Sequence, residues 1–262
     1  MPETKPLSGK RVVVTRATDQ ASGFAEMLVS AGAEVVEFPT IQTVPPESYD
    51  EVDRAVGELA GFDFVVFTSA NAVKFFFRRL AELGKDARGL SGMKVVAVGP
   101  KTAAELMANG LEADIVPREF KAEGVIEALR PFDMSGKRVL FPRAEVAREV
   151  LPEKLREMGA EVVLAVVYRT VLPKADAEHI LRLFREGGVS ALTFTSSSTV
   201  RNFMAMAGDG VREHIKGVCV ACIGPVTAQT CKELGLPVTV VPEDYTVDAL
   251  LGALTEYFGR RK

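Results

Sequence analysis

Four short turns of small and hydroxyl-bearing residues are the part of this chain best suited to chemistry. Two read Phe-Thr-Ser, at Phe67–Ser69 and Phe194–Ser196, and two read Gly-Pro-x-Thr-Ala, beginning at Gly99 and Gly224. Each follows an apolar run typical of a strand and precedes a segment of helical period. Backbone N–H groups at a helix start bind anions, and hydroxyls cap the same groups. The turns therefore predict either helix capping alone or an anion-binding cleft that all four share.

The turns are copies of one another because the chain contains an internal repeat. Lys10-Arg11-Val12-Val13-Val14 recurs at Lys137-Arg138-Val139-Leu140-Phe141, 127 residues later, and this offset also relates the two Phe-Thr-Ser turns. The Gly-Pro turns are 125 residues apart. A period this long indicates two domains rather than a solenoid.

Two arginines and one tyrosine add to the candidate site. Arg16 and Arg143 are counterparts at the end of the first strand of each repeat. Each could bind a carboxylate in bidentate fashion or pair with a structural acid, and the sequence favours neither. Tyr168 breaks the repeat symmetry, since Ile41 stands at the corresponding position. It is either a residue with a unique role or a half-buried strand tyrosine.

The candidate residues for a ligand-binding cleft share a hydroxyl group, small size or a positive charge. They are Arg16, Thr68, Ser69, Gly99, Thr102, Arg143, Thr195, Ser196, Ser197, Gly224 and Thr227.

Several familiar catalytic and cofactor motifs are missing from the sequence. It has no Gly-x-Gly-x-x-Gly after the first strand, no P-loop and no metal-spaced cluster. Thr68 and Thr195 stand where a phosphorelay receiver needs aspartate. Cys219, Cys222 and Cys231 all lie in one repeat, where we expect buried core thiols rather than a metal or redox pair. We therefore expect neither a metal nor a cofactor.

Composition limits the class of protein. The 262 residues are 47% hydrophobic and 26% charged, which suits two packed domains. A net charge of −3 argues against nucleic acid as a partner, so local groups must hold any anionic ligand. An odd cysteine count and no long apolar run favour the cytoplasm without a membrane. We expect a monomer acting on a small molecule, with a flexible leader of ten residues ending at Lys10.

Strand-like and helix-like segments alternate in each repeat. The first copy contains five strand candidates, Arg11–Thr15, Glu34–Phe38, Phe64–Thr68, Lys94–Val98 and Ala113–Val116. Apolar residues at helical spacing lie between or after strands: Phe24, Met27, Leu28 and Ala31; Val73, Phe76, Phe77 and Leu80; and Val247, Leu250, Leu251 and Leu254. The pattern predicts an α/β protein with two doubly wound parallel sheets, five strands in each, as in flavodoxin.

Two extended segments interrupt this alternation, Val36–Pro46 and Val163–Pro173. They suit chain crossings between domains. One interpretation places a single linear boundary near Pro131-Phe132-Asp133, and the other uses both extended segments as paired crossings. The sequence alone favours the linear boundary.

The order of these motifs resembles the uroporphyrinogen-III synthases. The resemblance rests on the doubled unit, Thr15-Arg16, the four turns and Tyr168-Arg169-Thr170, and it runs from about Lys10 to Phe258. It implies cyclisation of hydroxymethylbilane, a linear tetrapyrrole with eight carboxylates. In that chemistry the terminal hydroxyl leaves as water to give an azafulvene, and a spiro intermediate then recloses as uroporphyrinogen III with ring D inverted. Such an enzyme works by positioning a flexible substrate.

The resemblance also implies roles and a topology. The four turns would line the substrate site, and the Tyr168 hydroxyl would donate a hydrogen bond to the leaving hydroxyl. One domain would combine residues 1–40 with 172–262, the other would span 44–170, and crossings near 36–46 and 163–173 would form a two-stranded hinge. The rival hypothesis is a non-catalytic, two-lobed cytoplasmic binding protein for a small polyanion, which would use the same turns.

Overall fold

The structure is a computed structural model that describes residues 5–16, 18–173 and 177–260. It is a mixed α/β fold with parallel sheets. The strands are β1 (Arg11–Val14), β2 (Glu34–Glu37), β3 (Gln42–Val44), β4 (Phe64–Phe67), β5 (Lys94–Ala97), β6 (Arg138–Ala144), β7 (Glu161–Val171), β8 (Ala191–Phe194) and β9 (Cys219–Cys222). The helices are α1 (Thr18–Ser30), α2 (Asp50–Gly57), α3 (Ala70–Glu82), α4 (Pro100–Ala108), α5 (Ala122–Leu129), α6 (Val150–Glu157), α7 (Ala177–Arg185), α8 (Ser197–Ala207), α9 (Val211–His214), α10 (Pro225–Glu233) and α11 (Val247–Gly259).

The chain forms two compact units, Met1–Gln42 with Val171–Lys262, and Thr43–Thr170. The first contains a sheet of order β2-β1-β8-β9, in which all three pairings are parallel. A bridge from Ala221 to Val240 extends it by one position. Strands β8 and β9 are buried along their whole length, as expected for a parallel sheet covered on both faces.

The second unit contains a sheet of order β3-β7-β6-β4-β5. The pairings of β4 with β5, β4 with β6 and β6 with β7 are parallel. The predicted strand at Ala113–Val116 is reduced to one bridge, between Val96 and Ile115. The other four strand candidates of the first copy are confirmed within one residue at each end.

The predicted helical faces are confirmed where the side chains are described. In α3, Val73, Phe76, Phe77 and Leu80 all lie in the core of the second unit. Helix α11 buries Leu250 and Leu254 against the core of the first unit. Burial of each such apolar side chain contributes about 1.5–3 kcal/mol before conformational entropy is counted.

The linear boundary near Pro131 is not where the chain divides, because these residues lie inside the second unit. The divisions fall at Gln42/Thr43 and at Thr170/Val171, which lie within the two extended segments. Strand β7 takes up most of the second segment as one continuous strand of 11 residues.

The expectation of a flexible leader is wrong for its described part. Leu7 is fully buried among the core side chains of the first unit, and its N–H donates to the Ala31 carbonyl at 3.0 Å. The Lys10 N–H then closes a turn onto the Leu7 carbonyl. A single leucine among polar residues has no periodicity from which its burial could be predicted. Residues 1–4 of the leader lie outside the described residues.

The prediction of buried core thiols is confirmed, since all three cysteines are at most 1% exposed. Cys219 and Cys222 belong to different core clusters, on the two faces of the sheet. The close pair is instead Cys222 and Cys231, whose Sγ atoms lie 3.4 Å apart. Contact with Cys222 and burial both raise the pKa of the Cys231 thiol.

Candidate functional site

The turns of the second unit meet at the carboxyl edge of its sheet. The Val98 N–H donates to the Phe67 carbonyl at 3.0 Å, which makes the turns after β4 and β5 direct neighbours. Ser69 caps α3, because its Oγ accepts from the Ala72 N–H at 3.1 Å. Thr68 and Ser69 are both half-buried. Both hydroxyl-bearing side chains therefore lie beside a helix start.

Tyr168 is brought to the same edge by an irregularity in β7. Opposite β6, Arg143 pairs with Val166 and Ala144 with Tyr168, so that one extra residue is inserted and the strand bulges. The Tyr168 ring stacks on Phe75 of α3 with centroids 5.4 Å apart. Its hydroxyl lies 3.3 Å from Ser69 Oγ. Two of the predicted residues, from segments 99 residues apart, thus touch each other.

Gly99 starts the neighbouring helix α4 without a side-chain cap. It is buried, and its carbonyl accepts from the N–H groups of Thr102 and Ala103 at 3.1 and 3.0 Å. Thr102 is only 4% exposed. Proline at the first helical position suits this start because its missing N–H would have no partner within the helix.

The first unit repeats this edge with different contacts. The Ile223 N–H donates to the Phe194 carbonyl at 2.9 Å, as Val98 does to Phe67. Ser196 forms a capping box with Thr199 at the start of α8, and Ser196 Oγ lies 2.9 Å from Ser198 Oγ. Thr195 is half-buried beside it.

Ser197 joins the two helix starts of the first unit. Its Oγ donates to the Val226 carbonyl at 3.3 Å and accepts from Thr230 Oγ1 at 2.8 Å. Gly224 begins α10 with φ −171° and ψ 176°, the same values as Gly99 at the start of α4. Thr227 is 5% exposed, like its counterpart in the other unit.

The two arginines differ in their surroundings. Arg16 follows β1 and is half-buried. Arg143 is 4% exposed and donates to the carbonyls of Ala144 and Ala147 at 3.2 and 2.9 Å. It also forms a 2.6 Å ion pair with Glu149, and this hydrogen bond lowers the pKa of the Glu149 carboxyl. Of the two alternatives for Arg143, this geometry favours the structural acid.

A buried threonine network, which was not predicted from the sequence, lies behind the turns of the first unit. Thr15 Oγ1 donates to the Thr193 carbonyl at 2.8 Å, and Thr193 Oγ1 donates to the Val13 carbonyl at 2.9 Å. Thr40 Oγ1 donates to the Thr15 carbonyl at 3.0 Å. The signal was available, because Pro142 stands at the position of Thr15 in the other repeat.

The arrangement can bind and orient a polar ligand, with hydroxyls and helix N–H groups at the edge of each sheet. Among the residues that the structure describes, no three His, Cys, Asp or Glu side chains could hold a metal ion. In that same part of the chain, no helix is long and apolar enough to cross a membrane.

Comparison with known proteins identifies the family to which this chain belongs. A family profile described as uroporphyrinogen-III synthase HemD matches residues 22–252. The uroporphyrinogen-III synthase of Synechococcus elongatus is 39% identical over 97% of both chains. That of Chlorobaculum parvum is 30% identical over 94% of this chain and 98% of its own.

A solved structure shares the fold. The crystal structure of a mutant uroporphyrinogen III synthase from Thermus thermophilus covers 97% of this chain and 100% of its own, with a TM-score of 0.61 and 21% identity. The rival hypothesis of a non-catalytic binding protein is not favoured by these relatives. The chain belongs to the uroporphyrinogen-III synthases, the cyclising hydro-lyases that close hydroxymethylbilane to uroporphyrinogen III in tetrapyrrole biosynthesis.

Proposed function

We propose that this chain performs that cyclisation by holding the bilane at the turns that end the strands of each unit. The reaction requires neither a metal nor a strong acid, since an electron-rich pyrrole expels the terminal hydroxyl readily. The difficulty is to hold a flexible chain in the conformation in which the substituted carbon of ring D attacks the azafulvene, because the resulting spiro intermediate recloses with ring D inverted. Catalysis by positioning matches a set of capped helix starts and small residues.

The substrate carboxylates are the groups that these turns suit. Helix starts present N–H groups and a partial positive charge, which together bind anions. The net charge of −3 means that binding must depend on such local groups. The proposed contacts are Thr68, Ser69, Gly99 and Thr102 in the second unit, and Arg16, Thr195, Ser196, Ser197, Gly224 and Thr227 in the first.

The observation that best supports the proposal is the 3.3 Å contact between Ser69 Oγ and Tyr168 Oη. It places a phenol hydroxyl beside a turn that is proposed to bind substrate. The stack on Phe75 restrains the ring, so the hydroxyl is held ready to donate to the leaving group. The first unit has Ile41 at this position, so the Tyr168 phenol has no counterpart in the other repeat.

Arg143 enters the proposal as a residue that shapes the loop after β6. Its guanidinium is held by two backbone carbonyls and Glu149. Arg16, at the matching position of the first unit, is the arginine proposed to meet a carboxylate.

We also propose that the two units are flavodoxin-like domains of one duplicated ancestor, with a two-stranded hinge near residues 36–46 and 163–173. Matching contacts support the duplication. Arg11 pairs with Glu34 and donates to the Gly188 carbonyl. Arg138, 127 residues later, pairs with Glu161 and donates to the carbonyl of Gly61. Each arginine thus contacts a loop of the opposite repeat, as a swapped topology requires.

The central experiment supplies hydroxymethylbilane to the purified chain and separates the oxidised porphyrin isomers by chromatography. The bilane closes without enzyme to the type I ring, so the type III isomer is diagnostic. Type III product is the expected result. Type I alone, from folded protein, would contradict the proposal. We further propose that the enzyme works as a monomer without nucleic acid or membrane. Light scattering during size exclusion tests the monomeric state.

A further inference from the structure

One loop in each unit carries an exposed aromatic residue at matching positions. Phe120 and Tyr245 are 125 residues apart, the same offset as the Gly-Pro turns. Each follows a buried proline by three residues and lies directly before the N-cap of a helix, α5 or α11. Phe120 is 62% exposed and Tyr245 is 63% exposed. Among the described residues, these are the two exposed aromatic side chains.

Both rings lie against the glycine that starts the neighbouring helix. A Cβ placed on Gly99 would lie 3.2 Å from Phe120 Cβ and 3.3 Å from its Cγ. A Cβ on Gly224 would lie 3.1 Å from Tyr245 Cδ1. Since φ is −171° at both glycines, any residue could adopt the backbone. Glycine permits this close approach, because a Cβ at either position would press on the ring.

A purely structural role explains the position poorly. An apolar residue just before an N-cap often packs on the fourth helical residue as a hydrophobic staple. The fourth residues here are Val125 and Leu250, both fully buried. A staple would cover the side chain, whereas Phe120 and Tyr245 are each more than three-fifths exposed as whole residues.

We infer that Phe120 and Tyr245 each present a ring face to a pyrrole ring of the bilane, one in each unit. The inference rests on the proposed function and extends it from carboxylate binding to recognition of the heterocycle. Aromatic rings attract one another in offset or edge-on arrangements with centroids about 4.5–7 Å apart. The adjacent helix starts at Gly99 and Gly224 then bind the carboxylates that the same pyrrole carries.

The repeat explains why the ring, and not its hydroxyl, is the functional part. One unit uses phenylalanine and the other tyrosine at the same place, against the same glycine. Removing one aromatic contact corresponds to a loss of about 2- to 12-fold in affinity. The effect falls on substrate binding, because no bond forms or breaks at either ring.

The test compares leucine variants with ring-preserving variants. Phe120→Leu and Tyr245→Leu keep an apolar side chain but lose the aromatic face, whereas Phe120→Tyr and Tyr245→Phe keep it. Met107→Ala is the matched control, since Met107 is 58% exposed at the far end of α4, about 12 Å along the helix from its start. The readouts are KM and kcat for hydroxymethylbilane, the ratio of type III to type I product, and the thermal midpoint.

We expect each leucine variant to raise KM about 2- to 12-fold with an unchanged thermal midpoint, and each ring-preserving variant to match the wild type. Gly99→Ala, which displaces the ring without removing it, should also raise KM. A lower thermal midpoint with unchanged KM in the leucine variants would overturn the inference in favour of a staple. Unchanged KM and unchanged thermal midpoint in these variants would also overturn it. If the wild type itself makes no type III product, the proposed function fails instead.

Discussion

Replacement of Tyr168 by phenylalanine tests the catalytic proposal most directly. The substitution removes one oxygen and leaves the stack on Phe75 in place. The lost contact with Ser69 Oγ is 3.3 Å long and partly buried, between two neutral groups. Such hydrogen bonds contribute about 0.5–1.5 kcal/mol to the free energy of unfolding. We therefore expect the thermal midpoint to fall by about 1–6 °C.

The expected effect on turnover is larger than the effect on stability. A hydrogen bond donated to a group that becomes charged contributes about 1.5–3 kcal/mol. If the Tyr168 hydroxyl donates to the departing hydroxyl, its loss lowers kcat by about 12- to 160-fold. KM is expected to stay within about 2-fold, because the interaction strengthens only as the bond breaks.

The assay follows type III product over time against the spontaneous type I background. Tyr49→Phe is the matched control, since it removes a phenol oxygen from the same unit. Arg79 Cζ lies 4.2 Å from the centroid of the Tyr49 ring. An unchanged kcat for Tyr168→Phe, or an equal loss in Tyr49→Phe, would refute the role given to this hydroxyl.

Three further predictions concern stability and reactivity. Arg143→Lys is expected to lower the free energy of unfolding by about 1–3 kcal/mol in urea titrations, because the buried guanidinium loses its hydrogen bonds to two carbonyls and Glu149; a raised KM at full stability would instead support substrate binding. Hydrogen bonds from Lys137 Nζ and the Arg138 N–H lower the pKa of the Asp63 carboxyl in the folded protein. The ionised carboxylate therefore stabilises the fold at pH values above the pKa that Asp63 has in the unfolded chain, and this stabilisation is lost as pH falls through the folded pKa. Asp63→Asn is therefore expected to be less stable than wild type by up to about 1 kcal/mol at pH 7, with the difference closing below about pH 4; a constant difference would contradict it. The three buried thiols are expected to resist an aromatic disulfide reagent in native protein and to react fully in guanidinium chloride; rapid reaction without denaturant would contradict their burial.

The parts of the fold that sequence could predict are those with a strong local pattern. Strands such as β4 are wholly apolar and bounded by turns, and α3 repeats its buried residues at helical spacing. The turns of the candidate site were proposed because each occurs twice. Tyr168 was proposed for the opposite reason, as a break in the repeat.

What sequence could not predict depends on contacts between distant segments. The burial of Arg143 depends on Glu149 and on two carbonyls whose direction only the folded loop determines. The thiol contact joins a strand and a helix, at Cys222 and Cys231, whereas the sequence drew attention to Cys219 with Cys222. Spacing along the chain carries no information about such pairs.

The position of the chain crossings shows how a repeat limits inference as well as supporting it. Two identical copies pack equally well by themselves or with halves exchanged, because every interface is present in both arrangements. Local pattern therefore cannot distinguish a linear boundary from a swapped one. The contacts of Arg11 with Gly188 and of Arg138 with Gly61 do distinguish them, since each joins the first strand of one copy to the third-strand loop of the other. The repeat limits inference about the site in the same way, since a change at one position, as from Ile41 to Tyr168, alters one unit and leaves the other intact.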